Sequence, residues 1–370
     1  MKKNILFVIW SFSHGGGAEK ILSNIVNNLD KDKYNIDILE YYYIGIKKED
    51  IPSHVNLLPP ITNVTNKSIL NRIKNYLYSK IIFCNPKFIR RIHLNKKYDV
   101  EIAFNYMIPT YLLDYDSKTI GWVHGALDDM KFNKKTRKIQ NKTFNKIDRI
   151  VAISNKTYES IIETFPEYKN KVNIINNGFN FEEIYNKVNK KETIDNIDLL
   201  FCGRLDENKN PLKFLEIVDM VQKEIKDIKV GILGQGILDN EIKKKIKELK
   251  LENNVILYGF KSNPYTIMNS TKLMCLTSIS EGFPTVLIEG MALGKPFIST
   301  EVAGIEEMKN DNKCGFSTND NCEYAKYIIS LLKDNELYKK MSENSSEHVK
   351  KFNLQNQISK LEELIEEVTK

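Results

Sequence analysis

Short apolar runs recur along the chain, each closing on a small-residue turn and giving way to a stretch of helical periodicity. Residues 4–10 are the first such run, rich in Ile, Leu, Phe and Val, and predict a buried strand. Residues 18–29 follow with Ile21, Leu22, Ile25, Val26 and Leu29 on one face of a helix. The same alternation predicts strands over 36–42, 99–104, 119–125, 149–154 and 171–178, with helices over 131–147 and on to 165. A polar, charged stretch then intervenes. The pattern restarts with strands over 197–203, 229–236 with its turn, 255–259, 273–277, 295–300 and 314–316, and helices over 212–226, 237–250, 285–293 and 320–336. Residues 44–66 carry three prolines and predict irregular chain. Strand alternating with helix predicts α/β architecture with parallel sheets, and the restart predicts two of them.

Length agrees with that division, since 370 residues exceed one ordinary core. The expected boundaries are a first domain over 1–180, a linker over 181–196, a second domain over 197–345 and a helical tail over 346–370. The tail has Leu354, Ile358, Leu361, Leu364, Ile365 and Val368 at packing positions. No apolar run approaches the roughly 20 residues that span a bilayer, and the N-terminal run reads as a strand rather than a cleaved leader. Five widely spaced cysteines point to a reducing, cytoplasmic setting and to no metal cluster. Cys202 and Cys275 fall in strand runs and are expected in cores. The net charge of +7 is partly local: 67–97 holds nine Lys and Arg and no acid, with Tyr76, Leu77, Tyr78, Ile81, Ile82 and Phe83 interleaved. That mixture favours an anionic membrane surface over an ordinary solvated face. No nucleic-acid-binding signature accompanies it, so no nucleic acid is expected as partner.

The chemistry concentrates in 278–304. A strand ends in hydroxyl residues, Ser280-Glu281-Gly282-Phe283-Pro284 turns the chain, a mostly apolar helix begins at Thr285, and Gly294 stops it before the next strand. Glu281 lies at the C-terminal end of a strand, where open α/β sheets bind ligands. Glu289 sits one turn into the helix among Val286, Leu287, Ile288, Met291 and Ala292, where a carboxylate is either paired within the protein or bound to something. Arg204 and Lys209 follow the strand ending at Gly203, and their cationic groups suit a diphosphate. His124 also ends a strand and faces the ligand side of its sheet, or makes a structural hydrogen bond. Gly15-Gly16-Gly17 precedes a helix start that could hold an anion, but the spacing is not that of a dinucleotide fingerprint, and Asp37-Ile-Leu-Glu40 is a poor substitute for its acidic residue. Asp114-Tyr115-Asp116 reads as a solvated turn rather than a metal site.

The Glu281-x7-Glu289 pair, Glu281-Gly-Phe-Pro284, Gly294 before Pro296, Gly304, Gly203-Arg-Leu…Lys209 and the Gly16-Gly17-x-Glu19 loop closely resemble the signatures of family 4 of the nucleotide-sugar-dependent glycosyltransferases. The resemblance covers most of the chain, strongly over 200–304 and weakly over 44–116, where an acceptor would be chosen. It implies a GT-B fold, two Rossmann-like domains facing across a cleft, with the tail helix packing back on the first. It implies that Glu281 bonds the donor sugar and Glu289 the nucleotide ribose, that Arg204 and Lys209 bind the diphosphate, and that His124 contacts the donor sugar. Gly16, Gly17, Gly203, Gly234, Tyr258, Gly282, Phe283, Pro284 and Thr285 would complete the donor site. A UDP-sugar would be co-substrate, without a metal or other cofactor. Transfer would proceed with anomeric retention to a saccharide or lipid-linked saccharide, at the inner membrane face, in surface-glycan assembly such as capsule or lipopolysaccharide. Gly290 departs from the family's usual small residue and is expected to weaken its helix slightly. A soluble small-molecule acceptor and a sugar-nucleotide epimerase are the alternatives. An oxidoreductase would need the missing fingerprint, and a non-catalytic binding subunit would be favoured by loss of Arg204, Lys209 or Glu281, all of which are present.

Overall fold

The computed structural model describes residues 2–14, 16–46, 51–127, 134–188 and 196–370. The chain divides into two compact units, Met1–Phe179 with Leu354–Lys370, and Asn180–Asn353.

In the first unit the strands are β1 (Lys3–Ile9), β2 (Tyr34–Glu40), β3 (Tyr42–Tyr43), β4 (Val55–Leu57), β5 (Thr62–Asn63), β6 (Val100–Ala103), β7 (Lys118–Val123), β8 (Arg149–Ala152) and β9 (Val172–Ile174). Seven form one parallel sheet in the order β4-β2-β1-β6-β7-β8-β9, and β3 pairs with β5 beside it. Ile5, Leu6, Phe7 and Val8 are fully buried, because β1 is central and covered on both faces. The helix Gly17–Asn28 buries Ile21, Leu22, Ile25 and Val26 as its spacing predicts. The helix Leu354–Thr369 packs on it and on β7, with Leu361, Leu364 and Ile365 buried. Where that helix begins, Gly178 lies so close that a Cβ there would stand 2.7 Å from Leu354 Cα. The region 44–66, expected to be irregular, supplies β4 and β5, short strands that the prolines confine to the sheet margin.

The second unit contains β10 (Ile197–Cys202), β11 (Val230–Leu233), β12 (Val255–Gly259), β13 (Thr271–Leu276), β14 (Phe297–Ser299) and β15 (Gly315–Ser317). They form a parallel sheet in the order β12-β11-β10-β13-β14-β15. Tyr324, from the helix Asn321–Lys333, is fully buried; its hydroxyl donates to Ile298 O at 2.5 Å and accepts Leu276 N–H at 3.1 Å, fixing the ends of β13 and β14. Two expected boundaries move. Residues 181–187 are not linker but the helix Phe181–Lys187, capped by Asn180, with Phe181 and Ile184 buried in the second unit. Residues 189–195 lie outside the described residues. The tail joins the first unit from Leu354 rather than 346, since Met341, Val349 and Phe352 are buried within the second.

Each sheet has one point where consecutive connections leave in opposite directions: between β1 and β6, and between β10 and β13. Strands part there at their C-terminal ends and leave a crevice. No helix among the described residues is long and apolar enough to cross a membrane.

Candidate active site

The crevice of the second unit is built from the loops after β10 and β13. Ile279 N–H donates to Asn208 O at 2.7 Å, Asn208 Nδ2 to Ser280 O at 3.0 Å, and Thr277 Oγ to Asn210 O at 2.9 Å. These bonds hold two sequence-distant loops in one layer. On it, Lys209 Nζ donates to Glu281 Oε1, and Ser278 Oγ donates to the same oxygen at 2.6 Å. The two side chains are 20% and 12% exposed, so the pair is shielded but open on one side. Glu281 Oε2 has no hydrogen bond among the described residues. Arg204 stands further out, 71% exposed, with Nη2 3.2 Å from Asp206 Oδ2. The structure thus joins Lys209 to Glu281 and leaves Arg204 at the rim.

Close backbone packing beneath this layer demands glycine. A Cβ on Gly234, whose φ is +150°, would lie 1.8 Å from Gly203 O, and one on Gly236 would lie 2.3 Å from Leu205 O. Gly203, Gly234 and Gly259 are linked through Leu233: Gly203 N–H donates to Leu233 O at 3.0 Å, and Gly234 N–H to Gly259 O at 2.9 Å. Gly290, expected only to weaken its helix, has a packing reason, because a Cβ there would meet Met274 Cγ at 2.5 Å. Glu289 is buried on the helix Thr285–Ala292, which starts after Pro284, and its Oε1 accepts the Tyr265 hydroxyl at 3.3 Å. Of the other expected donor residues, Phe283 is buried against Gly304 and the Phe352 ring, and Tyr258 packs beside Gly231. Burial raises the thiols of Cys202 and Cys275, the latter to about 12; Cys275 lies in the core, whereas Cys202 is half-buried at the end of β10.

The crevice of the first unit is a pocket of about 520 Å³ at the ends of β1, β6 and β7. Trp10, Asn105 and His124 enter it from those strand ends, and Glu19 from the helix behind the glycine loop. Trp10 N–H donates to Asn105 Oδ1 at 2.9 Å across the switch point. His124 Nε2 lies 2.6 Å from Phe104 O. A carbonyl only accepts, so Nε2 carries the proton. Burial pushes the imidazole down to about 4, so the ring is neutral near pH 7 and Nδ1 is a bare acceptor. Gly16 caps the helix Gly17–Asn28, and a Cβ on it would meet the Glu19 carboxylate at 2.7 Å, whereas Gly17 faces open space. Gly15 lies outside the described residues.

A family model described as Glycosyltransferase Family 4 matches residues 15–183, and one described as Glycosyl transferases group 1 matches 180–348. The chain belongs to glycosyltransferase family 4. It is 29% identical over 212 residues to an N-acetylgalactosamine-N,N'-diacetylbacillosaminyl-diphospho-undecaprenol 4-alpha-N-acetylgalactosaminyltransferase of Campylobacter jejuni, a match spanning 56% of this chain and 57% of that one. An uncharacterized glycosyltransferase of Haemophilus influenzae is 25% identical over 353 residues, 93% of this chain and 94% of its own. The chain therefore aligns with little more than half of the Campylobacter relative and nearly all of the Haemophilus one. An Anabaena protein solved in complex with UDP superposes with a TM-score of 0.76 at 18% identity, over 99% of this chain and 100% of that one. The fold of this family member is GT-B.

Several residues in the first unit escaped the sequence reading. Glu40, weighed only as a ribose acid, is buried at the end of β2, where it accepts Phe12 N–H at 2.8 Å and Ser13 Oγ–H at 3.0 Å. Ser13 Oγ in turn accepts Ile44 N–H at 2.8 Å, so Glu40 holds the loop that leads to Gly16. Tyr106 and Met107 line the pocket. Met107 has φ 71° and ψ −121°, a conformation that costs a non-glycine residue of order 1–3 kcal/mol. The Tyr106 hydroxyl is sealed from solvent with no hydrogen-bond partner among the described residues. Pro109 marks the helix start that follows, but nothing in the sequence signals a left-handed methionine. Within 67–97, two of the cations pair with buried carboxylates: Arg90 forks Glu101 at 2.6 and 2.8 Å, and Lys96, itself exposed, reaches Asp37 at 3.2 Å. Asp114 Oδ1 accepts Asp116 N–H at 3.2 Å in a turn, and Asp114 Oδ2 lies 3.9 Å from Arg90. No three His, Cys, Asp or Glu side chains cluster with metal-holding geometry among the described residues.

Proposed function

We propose that this family member transfers a hexose or N-acetylhexosamine from a nucleotide diphosphate sugar, UDP-linked, to a saccharide or lipid-linked saccharide acceptor, with retention, in cell-surface glycan assembly. The observation that carries it is the divided Glu281 carboxylate. One oxygen is taken by Lys209 and Ser278, and the other has no hydrogen bond among the described residues, on a side chain 12% exposed at a sheet switch point. A carboxylate so held can accept sugar hydroxyls without moving. Lys209 has three donors and spends one on Glu281, so it can reach a phosphate oxygen while still fixing the carboxylate. Arg204 at the rim can swing to the same diphosphate. Together the two cations would stabilise the charge that develops when the sugar departs, an effect of about 10²–10³ in rate for a single well-placed donor. Glu289 would take the ribose hydroxyls, and the Nδ1 of neutral His124 would accept a hydroxyl of the donor sugar.

Two supports favour a lipid-linked acceptor. The Campylobacter relative acts, by its name, on a diphospho-undecaprenol substrate. The helix Ile69–Cys84 buries only Ile82 fully and exposes Leu70, Ile73, Tyr76 and Leu77 beside Arg72, Lys74 and Lys80, a surface suited to peripheral contact with an anionic inner leaflet. The test is a panel of nucleotide sugars incubated with the protein and a membrane extract, read by mass spectrometry, with the anomeric configuration of the product read by NMR. One donor should add one sugar to a lipid-extractable product with retained configuration. Absence of transfer from every donor would defeat the proposal.

A further inference from the structure

We infer that a second pocket in the first unit, between the helices Ile69–Cys84 and Lys134–Lys146, is a site for the phosphate of a lipid-linked acceptor, a reading that rests on the transferase function proposed above. The pocket has a volume of about 230 Å³ and is lined by Lys142, Lys146, Thr143, Tyr111, Tyr115 and Phe83 among others, with no carboxylate in its walls among the described residues. Its two lysines belong to a line. Lys134, Lys138, Lys142 and Lys146 recur every fourth residue on exposed positions of one helix that contains no acid. Like charges at that spacing repel, so the helix is formed against its own electrostatics. Asp148, two residues on, is turned away to Thr119 N–H at 2.8 Å and Thr119 Oγ–H at 3.0 Å. Lys146 sits over the Tyr115 ring at 5.1 Å, which directs its ammonium at the pocket wall.

The opposite wall is apolar. Phe83 ends a helix whose Leu70 is 82% exposed, with Ile73 and Leu77 also exposed. Cationic groups facing hydrocarbon across one small pocket match an amphiphile, a phosphate carrying an alkyl chain, better than a free anion. Phe83 also lines the strand-end pocket that contains His124, and its ring meets Tyr111 edge-on at 6.1 Å. One aromatic wall therefore separates a sugar-sized pocket from a phosphate-sized one, the arrangement a phosphate-linked saccharide requires.

The experiment is calorimetric titration of the full chain with farnesyl diphosphate in the presence of UDP, for wild type, Lys142→Gln/Lys146→Gln, and Lys243→Gln/Lys247→Gln. The last pair has the same spacing and charge change on exposed positions of the helix Asp239–Glu248. Wild type and the second variant should bind alike, and the first should bind about 10-fold more weakly or worse, the loss expected for charge-assisted hydrogen bonds. Farnesol and inorganic diphosphate should each bind more weakly than farnesyl diphosphate. Thermal midpoints should not fall. Equal loss in both variants, inorganic diphosphate binding as tightly as farnesyl diphosphate, or no saturable heat would each overturn the inference. A separate UDP titration distinguishes the two readings: missing UDP binding sinks the transferase assignment, whereas UDP binding that persists while farnesyl diphosphate fails sinks only the phosphate site.

Discussion

The two crevices occupy the same topological position in two parallel sheets, yet they are lined by opposite chemistry. Between β10 and β13 the walls are ionic: Lys209 on Glu281, with Arg204 and Asp206 at the rim. Between β1 and β6 they are aromatic and neutral: Trp10, Tyr106, Met107 and an uncharged His124, with the Glu19 carboxylate behind the loop. A strand end supplies only a place. What is bound there follows from the side chains of the loops, and a diphosphate needs the cations that a neutral saccharide does not. The ionic crevice also rests on glycines with no room for a Cβ, whereas the neutral one rests on a strained methionine and a hydroxyl without a partner among the described residues. The first is rigid by packing. The second stores a cost that a ligand or a rearranged loop can relieve.

The sharpest way to break this contrast is to remove the ion pair. Glu281→Ala and Lys209→Ala should each cut transfer by about 10²–10³, measured as initial rate at saturating acceptor, while the fold survives. His124→Ala should cost less, and a loss as large as that of Lys209→Ala would erase the distinction between the crevices. Stability should show the same asymmetry. Glu281→Ala leaves a shielded ammonium without its partner and should destabilise by about 1–3 kcal/mol in urea titration, and adding Lys209→Ala should recover part of that loss.

A smaller effect is expected from pH. Burial lowers the His124 imidazole from 6.5 to about 4, so between those values the unfolded chain binds a proton that the folded one refuses. The stability difference between wild type and His124→Gln should therefore shift against wild type as pH falls from 6.5 toward 4, and stay level above 7. A difference that is flat across that range would mean the ring is solvated. The smallest change belongs to Tyr106→Phe. Deleting a sealed hydroxyl that has no partner among the described residues should leave stability unchanged within about 0.5 kcal/mol or raise it; a clear loss would reveal a hidden bond.

Much of this is legible in the sequence. Strand and helix periods placed β1, β7, β10 and β13 and the helices Gly17–Asn28 and Thr285–Ala292 close to their observed bounds, because buried parallel strands and amphipathic helices write their environment into short local patterns. The glycines at 203, 234 and 294 and the residues Arg204, Lys209 and Glu281 stood out for the same reason: turns and charged side chains beside apolar strands are local features. What the chain order could not give was which of these meet. Lys209 and Glu281 are 72 residues apart and touch because β13 returns to lie beside β10. Nor could it show that Gly290 presses on Met274, that Glu40 turns inward to hold a loop, that Arg90 is used up on Glu101, or that residues 181–187 fold onto the second unit. Those outcomes depend on packing between segments distant in sequence, and the orphaned hydroxyl of Tyr106 and the left-handed backbone of Met107 belong with them, since both are costs imposed by neighbours rather than preferences of the residues themselves.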